Sequence, residues 1–172
     1  MSKDILEKGA IVQRDKETYA IAPHIAGGII DPAGLRRIAD VAEKYNAKAL
    51  KITSAQRIAI VGIDPKDIDD AWKDLGMKAG AAIGLCVRSI KICPGTTFCK
   101  RGQQDSVGVG LKLDELYHGM QLPWKFKIGV SGCANSCAEP AVKDIGLIGM
   151  SKGWKLLVGG SSGVKPRLGQ ML

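Results

Sequence analysis

Aromatic side chains and long apolar runs are scarce in this sequence. Phe, Trp and Tyr make up 5% of the 172 residues although 45% are hydrophobic, so we expect a core of Ile, Leu, Val and Ala. No stretch approaches the roughly 20 consecutive apolar residues that a membrane-spanning helix needs, which argues against a membrane protein. Residues 1–8 are charged and lack the apolar segment of a secretion signal. We therefore expect a cytoplasmic protein.

Acidic residues are also few relative to basic ones. Lys and Arg number 25 against 17 Asp and Glu, a formal charge of +8, so the protein should attract anions. The basic residues are scattered and lack the interleaved aromatic residues of single-strand nucleic-acid binders. An anionic cofactor, an anionic substrate or an acidic redox partner fits this pattern better than nucleic acid does.

Four of the five cysteines form two closely spaced pairs. Five residues separate Cys93 from Cys99, and three separate Cys133 from Cys137. Without a secretion signal, such thiols indicate a reducing compartment and a metal site, either tetrahedral or cubane. Zinc usually takes tighter Cys-x2-Cys or Cys-x4-Cys spacings, so we favour a [4Fe–4S] cluster and keep structural zinc as the alternative. Cys86 is left over and is expected to be a buried thiol.

Secondary-structure signals divide the chain near residue 76. Before it, strands are predicted at residues 10–14, 18–22, 49–53 and 57–62, and helices at 31–45 and 64–75, where Asp-Pro pairs form the starts. This β-β-α-β-β-α order is close to a ferredoxin-like fold. We predict an α+β protein with domains at residues 1–76 and 77–172.

The second part carries all four paired cysteines. Strands are predicted at residues 87–92, 125–131, 144–150 and 154–159, and helices at 105–117 and 134–142, with no regular element in the tail 159–172. Cys133 and Cys137, four residues apart, would share one face of the second helix. Both cysteine pairs would then follow strand ends, where α/β layers bind ligands.

Several stretches together resemble the sirohaem-dependent nitrite and sulfite reductases, in particular the sirohaem region of the bacterial assimilatory nitrite reductases. The cysteine segments Cys-Pro-Gly-Thr-Thr and Ser-Gly-Cys carry the resemblance, and the similarity extends over residues 10–172. Four further segments support it, namely residues 23–28, 51–57, 104–108 and 125–127.

The resemblance implies a ferredoxin-like half-domain followed by an α/β module that binds a [4Fe–4S] cluster and sirohaem. The cluster ligands would be Cys93, Cys99, Cys133 and Cys137, and Cys137 would bridge to the sirohaem iron. Nitrite would be reduced to ammonia, or sulfite to sulfide, by six electrons. The other cofactor-binding residues would be Thr53, Gln56, Arg57, Arg88, Gly95, Thr96, Thr97 and Asn135.

Four cations, Arg57, Arg88, Lys125 and Lys127, are the predicted catalytic residues. The anion needs a cationic pocket, and lysine can also supply protons. Lys125 and Lys127 lie two residues apart, so on a strand they would share one face leading to Cys133; the alternative is a solvated strand edge.

This chain departs from the family in three ways. His24 stands where the family has arginine, only one half-domain and one cluster module are present, and no flavin or NADH module is found. Electrons would then come from an acidic donor such as a ferredoxin or from a separate flavoprotein, and a two-fold homo-oligomer would replace the missing half. A non-catalytic electron-transfer protein, with or without sirohaem, remains the alternative to an enzyme.

Overall fold

The computed structural model describes residues 3–172 and divides the chain into two units between Gly84 and Leu85. The first unit is longer than the predicted domain, because residues 77–84 pair with its glycine loop. The His24 N–H donates to the Lys78 carbonyl, and the Gly80 N–H donates to the Ala22 carbonyl. No helix within residues 3–172 is long and apolar enough to span a membrane.

The first unit has the predicted β-β-α-β-β-α order. Its elements are β1 (Ile11–Val12), β2 (Tyr19–Ile21), α1 (Pro32–Lys44), β3 (Ala49–Ile52), β4 (Ile58–Ile63) and α2 (Ile68–Leu75). The strands form an antiparallel sheet in the order β1-β2-β4-β3. Its core is aliphatic, as expected, and the largest fully buried side chains are Ile21, Ile38, Ile60, Ile63, Ile68 and Leu75.

α1 begins at the predicted Asp31-Pro32 pair, and the short turn that precedes α2 begins at the predicted Asp64-Pro65 pair. The Asp31 carboxylate accepts from the Gly34 N–H at 2.7 Å, which satisfies a donor at the start of α1. Asp64 caps a short 3-10 turn, Pro65–Asp67, that leads into α2. Gly76 ends α2 in the left-handed region at φ 57°, a conformation that glycine adopts without steric cost.

The second unit is built on a five-stranded sheet. Its elements are β5 (Lys91–Ile92), α3 (Gly95–Phe98), α4 (Ser106–Tyr117), β6 (Ile128–Ser131), β7 (Ile145–Met150), β8 (Gly153–Val158) and β9 (Gln170–Met171). The strand order is β5-β6-β7-β8-β9. β5, β6 and β7 run parallel, whereas β8 and β9 are each antiparallel to the preceding strand.

The predicted helix at residues 134–142 is wrong. Only the 3-10 turn Pro140–Val142 forms there, because Ser136 and Glu139 adopt φ values of 53° and 54°. The left-handed conformation at these two residues interrupts a right-handed helix. Cys133 and Cys137 therefore lie in consecutive turns and not on one helical face.

Three other boundaries differ from the predictions. β5 and β6 are shorter than expected, because residues 87 and 126 contribute only an isolated parallel bridge before the regular ladder begins. The tail contains β9, which pairs with β8. The short helix α3, between the first two cysteines, was not predicted.

Candidate metal centre

Both cysteine pairs lie at the carboxyl edge of the parallel strands β5 and β6. Cys93 directly follows β5, and Cys133 follows β6 by two residues. Ile92 pairs with Val130 in the ladder, and the Cys93 N–H donates to the Val130 carbonyl at 3.0 Å. The predicted position of the pairs at adjacent strand ends is therefore found in the second unit.

The sulfur of Cys93 is surrounded by hydrogen-bonding groups. Cys93 is only 9% exposed, and its Sγ accepts a hydrogen bond from the Gly132 N–H at 3.0 Å. The fully buried Ser106 places its Oγ 3.3 Å from the same sulfur and donates to the Cys93 carbonyl at 2.8 Å. Hydrogen bonds of this kind to ligand sulfur are characteristic of iron–sulfur sites.

Two glycines allow the two cysteine segments to touch. A Cβ at Gly132 would lie 2.6 Å from the Gln104 carbonyl oxygen and 2.8 Å from the Gly95 Cα. The Gly132 carbonyl accepts hydrogen bonds from the Gln103 and Gln104 N–H groups at 2.8 and 2.9 Å. The backbone that precedes Cys133 is thus fixed against the backbone that follows Cys93.

The four paired cysteines differ in exposure. Cys93 is buried, Cys99 and Cys133 are half-buried, and Cys137 is exposed. Within residues 3–172, no three His, Cys, Asp or Glu side chains converge closely enough to hold a single metal ion.

Cys86 lies apart from this group. It is 3% exposed, and its carbonyl accepts from the Phe126 N–H at 3.0 Å, before the regular ladder of β5 and β6 begins. This is the amino end of the parallel pair, whereas the four other cysteines lie at the carboxyl end.

Predicted cofactor contacts surround the cysteine edge. Gly95 is buried, and Thr96, Thr97 and Asn135 are exposed on the segments that carry the cysteines. Thr97 donates to the Asp105 carboxylate, at 3.4 Å. The side chains of Thr96, Thr97 and Asn135 are therefore accessible to a group bound at this edge.

Arg88, Lys125 and Lys127 lie at the opposite end of the parallel strands. The Arg88 N–H donates to the Phe126 carbonyl, and the Lys127 N–H donates to the Asp144 carboxylate at 2.8 Å. Lys127 precedes β6 and Cys133 follows it, and a strand of four residues alone spans about 13 Å. Lys125 and Lys127 thus precede β6 and do not lie on it, and their role at the anion site stays a prediction.

The amino end that carries these cations also exposes apolar side chains. The segments at 85–88 and 119–126 are joined by backbone hydrogen bonds. The exposed apolar residues on them and on the end of α4 are Leu85, Leu116, Tyr117, Met120 and Trp124. We call this surface, together with Arg88, Lys125 and Lys127, the amino-edge patch.

Thr53, Gln56 and Arg57 form the turn between β3 and β4 in the first unit. The Thr53 N–H donates to the Arg57 carbonyl at 2.8 Å, and Gln56 has φ 58°. A Cβ on Gly28 would lie 2.9 Å from the Gln56 Cβ, so the glycine loop that includes His24 packs against this turn. Arg57 is 8% exposed and donates through Nη1 to the Gly80 carbonyl.

Sequence reasoning missed three residues that support the cysteine edge. Ser106 contacts Cys93, and the fully buried Ser131 accepts the Ala138 N–H at 2.9 Å. Glu139 pairs with two lysines, Lys91 and Lys143, whose hydrogen bonds hold the pKa of this carboxyl below its usual value. In the sequence, the four-residue spacing of Glu139 and Lys143 was the signal that could have predicted the ion pair between them.

Comparison with protein families matches both units. Residues 11–78 match the nitrite/sulfite reductase ferredoxin-like half domain. Residues 83–172 match the nitrite and sulphite reductase 4Fe-4S domain. The fold class and the family that the sequence predicted are confirmed.

Relatives match nearly the whole chain. An assimilatory-type sulfite reductase of Nitratidesulfovibrio vulgaris is 46% identical over 96% of this chain and 76% of the relative. A nitrite reductase [NAD(P)H] of Bacillus subtilis is 40% identical over 95% of this chain, which spans only 20% of that protein. The Mycobacterium tuberculosis NirA protein shares the fold, with a TM-score of 0.80 at 21% identity over 98% of this chain and 33% of NirA.

Proposed function

Because this chain belongs to the nitrite and sulfite reductase family, we propose that it is a reductase that converts nitrite to ammonia or sulfite to sulfide with six electrons. Its cofactors are a [4Fe–4S] cluster and sirohaem. The observation that carries the proposal is the pair of cysteine segments at one sheet edge, with the Gly132 N–H directed at the Cys93 sulfur. When bound, the cluster supplies electrons and the sirohaem iron binds the anion.

Cys93, Cys99, Cys133 and Cys137 hold the cluster in this proposal. Cys137 is the exposed member of the four, and the family resemblance implies that it would also bridge to sirohaem. Thr96, Thr97 and Asn135 are exposed on the same segments and are proposed to contact the macrocycle. Thr53, Gln56 and Arg57 are proposed as further contacts on the strength of the family resemblance.

Arg88, Lys125 and Lys127 are proposed to bind the anion and to supply protons. Their position at the end of the sheet opposite the cysteines supports a working site made by two copies. In that arrangement the amino-edge patch of one copy covers the cysteine edge of the other. The positive charge of the amino-edge patch is complementary to the carboxylates of the macrocycle and to the anionic substrate.

The electron donor is proposed to be a separate acidic protein, such as a ferredoxin or a flavoprotein. The charge of +8 supports this, since an acidic partner would be steered to the surface by attraction that salt weakens. The five cysteines, all free of disulfides, suit a reducing compartment such as the cytoplasm.

The test is analysis of iron, acid-labile sulfide and tetrapyrrole in protein purified without oxygen, followed by assay with reduced viologen. We expect a cluster, a sirohaem spectrum, and turnover of nitrite or sulfite. Zinc in place of iron would contradict the proposal. Bound cofactors without turnover of either anion would leave a non-catalytic electron-transfer protein.

A further inference from the structure

Two nearly buried lysines share one glutamate beside the last cysteine. Lys91 Nζ lies 2.9 Å from Glu139 Oε1, and Lys143 Nζ lies 3.1 Å from Glu139 Oε2. The side chains of Lys91 and Lys143 are 17% and 9% exposed, whereas that of Glu139 is 56% exposed. One carboxylate therefore pairs with two lysine side chains that are largely shielded from water, and the three groups together keep a charge of +1.

The bridge joins the two cysteine segments. Lys91 lies in β5, two residues before Cys93, and Glu139 lies two residues after Cys137. Each end of the ion pair is thus two residues from a proposed cluster ligand. Lys143, which follows the 3-10 turn Pro140–Val142, binds the other oxygen of the same carboxylate.

Two glycines lie on the sheet strands beneath the turn at residues 133–139. Lys91, Gly129 and Gly146 are neighbours in register on β5, β6 and β7. A Cβ at Gly129 would lie 3.0 Å from the Ala138 carbonyl oxygen and 3.0 Å from the Lys143 Cγ. Gly129 and Gly146 let the turn lie directly on the sheet. Lys91, in the neighbouring strand β5, binds the turn through Glu139.

The turn has little regular structure of its own. Ser136 and Glu139 are both in the left-handed region, which costs conformational energy in non-glycine residues. Its attachments to the sheet include the Ala138 N–H to Ser131 Oγ bond and the ion pair of the Glu139 carboxylate with Lys91. Without the glutamate, two poorly solvated ammonium groups would face each other unpaired.

We propose that Glu139 is a positioning residue that latches the turn carrying Cys137 to the strand that ends at Cys93. The inference rests on the proposed function, because it assigns the latch to the geometry of the cluster ligands. Glu139 acts through Cys137 and does not contact the substrate.

The experiment compares Glu139→Gln, Glu139→Asp and Glu115→Gln in the full chain purified without oxygen. Glu115 is the matched control, because it is also an exposed glutamate paired with a lysine, Lys112 at 2.9 Å, on α4 away from the cysteine turns. Three properties are measured: amide hydrogen exchange of residues 133–142, the rate of iron loss to a chelator, and the electron paramagnetic resonance spectrum of the reduced cluster.

We expect Glu139→Gln to raise local exchange and the rate of iron loss by about tenfold, the effect of losing two partly exposed ion pairs. The spectrum should also change, because one ligand is less firmly held. Glu139→Asp keeps the charge and should fall between the wild type and Glu139→Gln, while Glu115→Gln should match the wild type.

Unchanged exchange in Glu139→Gln would overturn the latch. Faster exchange with unaltered iron loss and an unaltered spectrum would also overturn it, since the turn would then be held only for stability. A wild-type protein that binds no cluster would refute the proposed function, and the exchange data would still report whether Glu139 holds the turn.

Discussion

Replacing Gly132 by alanine tests whether close backbone contact holds the two cysteine segments together. Gly132 is not among the glycines with positive φ, so its substitution does not strain the backbone torsion. The cost is steric, because the new Cβ would lie 2.6 Å from the Gln104 carbonyl oxygen and 2.8 Å from the Gly95 Cα. Both are backbone atoms, which cannot move aside as a flexible side-chain end can.

The magnitude follows from the contacts that must change. Relieving the overlap displaces the backbone whose N–H binds the Cys93 sulfur and whose carbonyl accepts from Gln103 and Gln104. Inserting a methyl group into a packed site of this kind costs about 1–3 kcal/mol. For a chain of this length we therefore expect Tm to fall by about 2–12 °C.

The assay measures iron and sulfide per chain together with thermal unfolding by circular dichroism. Gly163→Ala is the matched control, because a Cβ there would meet only the Ser161 Oγ, at 3.5 Å. We expect Gly132→Ala to bind less iron and unfold at lower temperature, and Gly163→Ala to match the wild type. Full iron content and an unchanged Tm in Gly132→Ala would refute the reasoning.

Three further predictions concern other parts of the chain. Cys86→Ser should keep the wild-type iron content, as the buried Cys86 lies apart from the cysteine edge; loss of iron would contradict the ligand assignment. Lys125→Met or Lys127→Met should lower turnover by about 100-fold and leave the cofactor spectra intact. Unchanged turnover in both variants would show that the two lysines are only solvent-exposed residues at a strand edge. In the first unit, the Asp74 carboxylate accepts hydrogen bonds from Lys44 and Tyr45. These bonds lower the pKa of Asp74, and the Lys44 bond has the largest effect. The stability that Asp74 adds is therefore present above the ordinary aspartate pKa of 3.8 and is lost as pH falls through the lower folded value. Urea unfolding should show Asp74→Asn to be less stable than the wild type at neutral pH, with the difference shrinking in acid; a difference independent of pH would contradict this.

The sequence predicted those elements whose signals are local. Asp31 and Asp64 precede prolines at helix starts, and the structure has a side-chain cap at each. The position of both cysteine pairs after strand ends was predictable for the same reason, since a strand signal precedes each pair. These features were predictable because their signals lie within a few residues of each other in the sequence.

The cysteine turns depend on one local signal that the helix prediction overlooked and on contacts that local patterns do not contain. The local signal is Pro140, because the residue before a proline, here Glu139, is biased away from the right-handed helix. The buried Ser131 and the two lysines then fix the turn on the sheet through contacts made only after folding. β9 was missed similarly, because its two residues become a strand only by pairing with β8.

The direction of β6 is the main support for the proposal that a working site is made by two copies. Side chains alternate between the two faces of a strand, so the sequence predicted Lys125 and Lys127 on one face of a strand that ends near Cys133. This rule does not say how far along the strand the lysines lie from the cysteine. The parallel ladder puts the lysines at its beginning and the cysteine beyond its end, about 13 Å or more away. A lysine side chain is shorter than that separation, which supports the proposal that the lysines at this cluster edge come from a second chain. Mixing a Cys137→Ser protein with a Lys125→Met, Lys127→Met protein should therefore restore turnover that neither variant has alone, because one mixed site retains all of its residues. Failure of the mixture, with dimers shown by light scattering, would contradict the two-copy site.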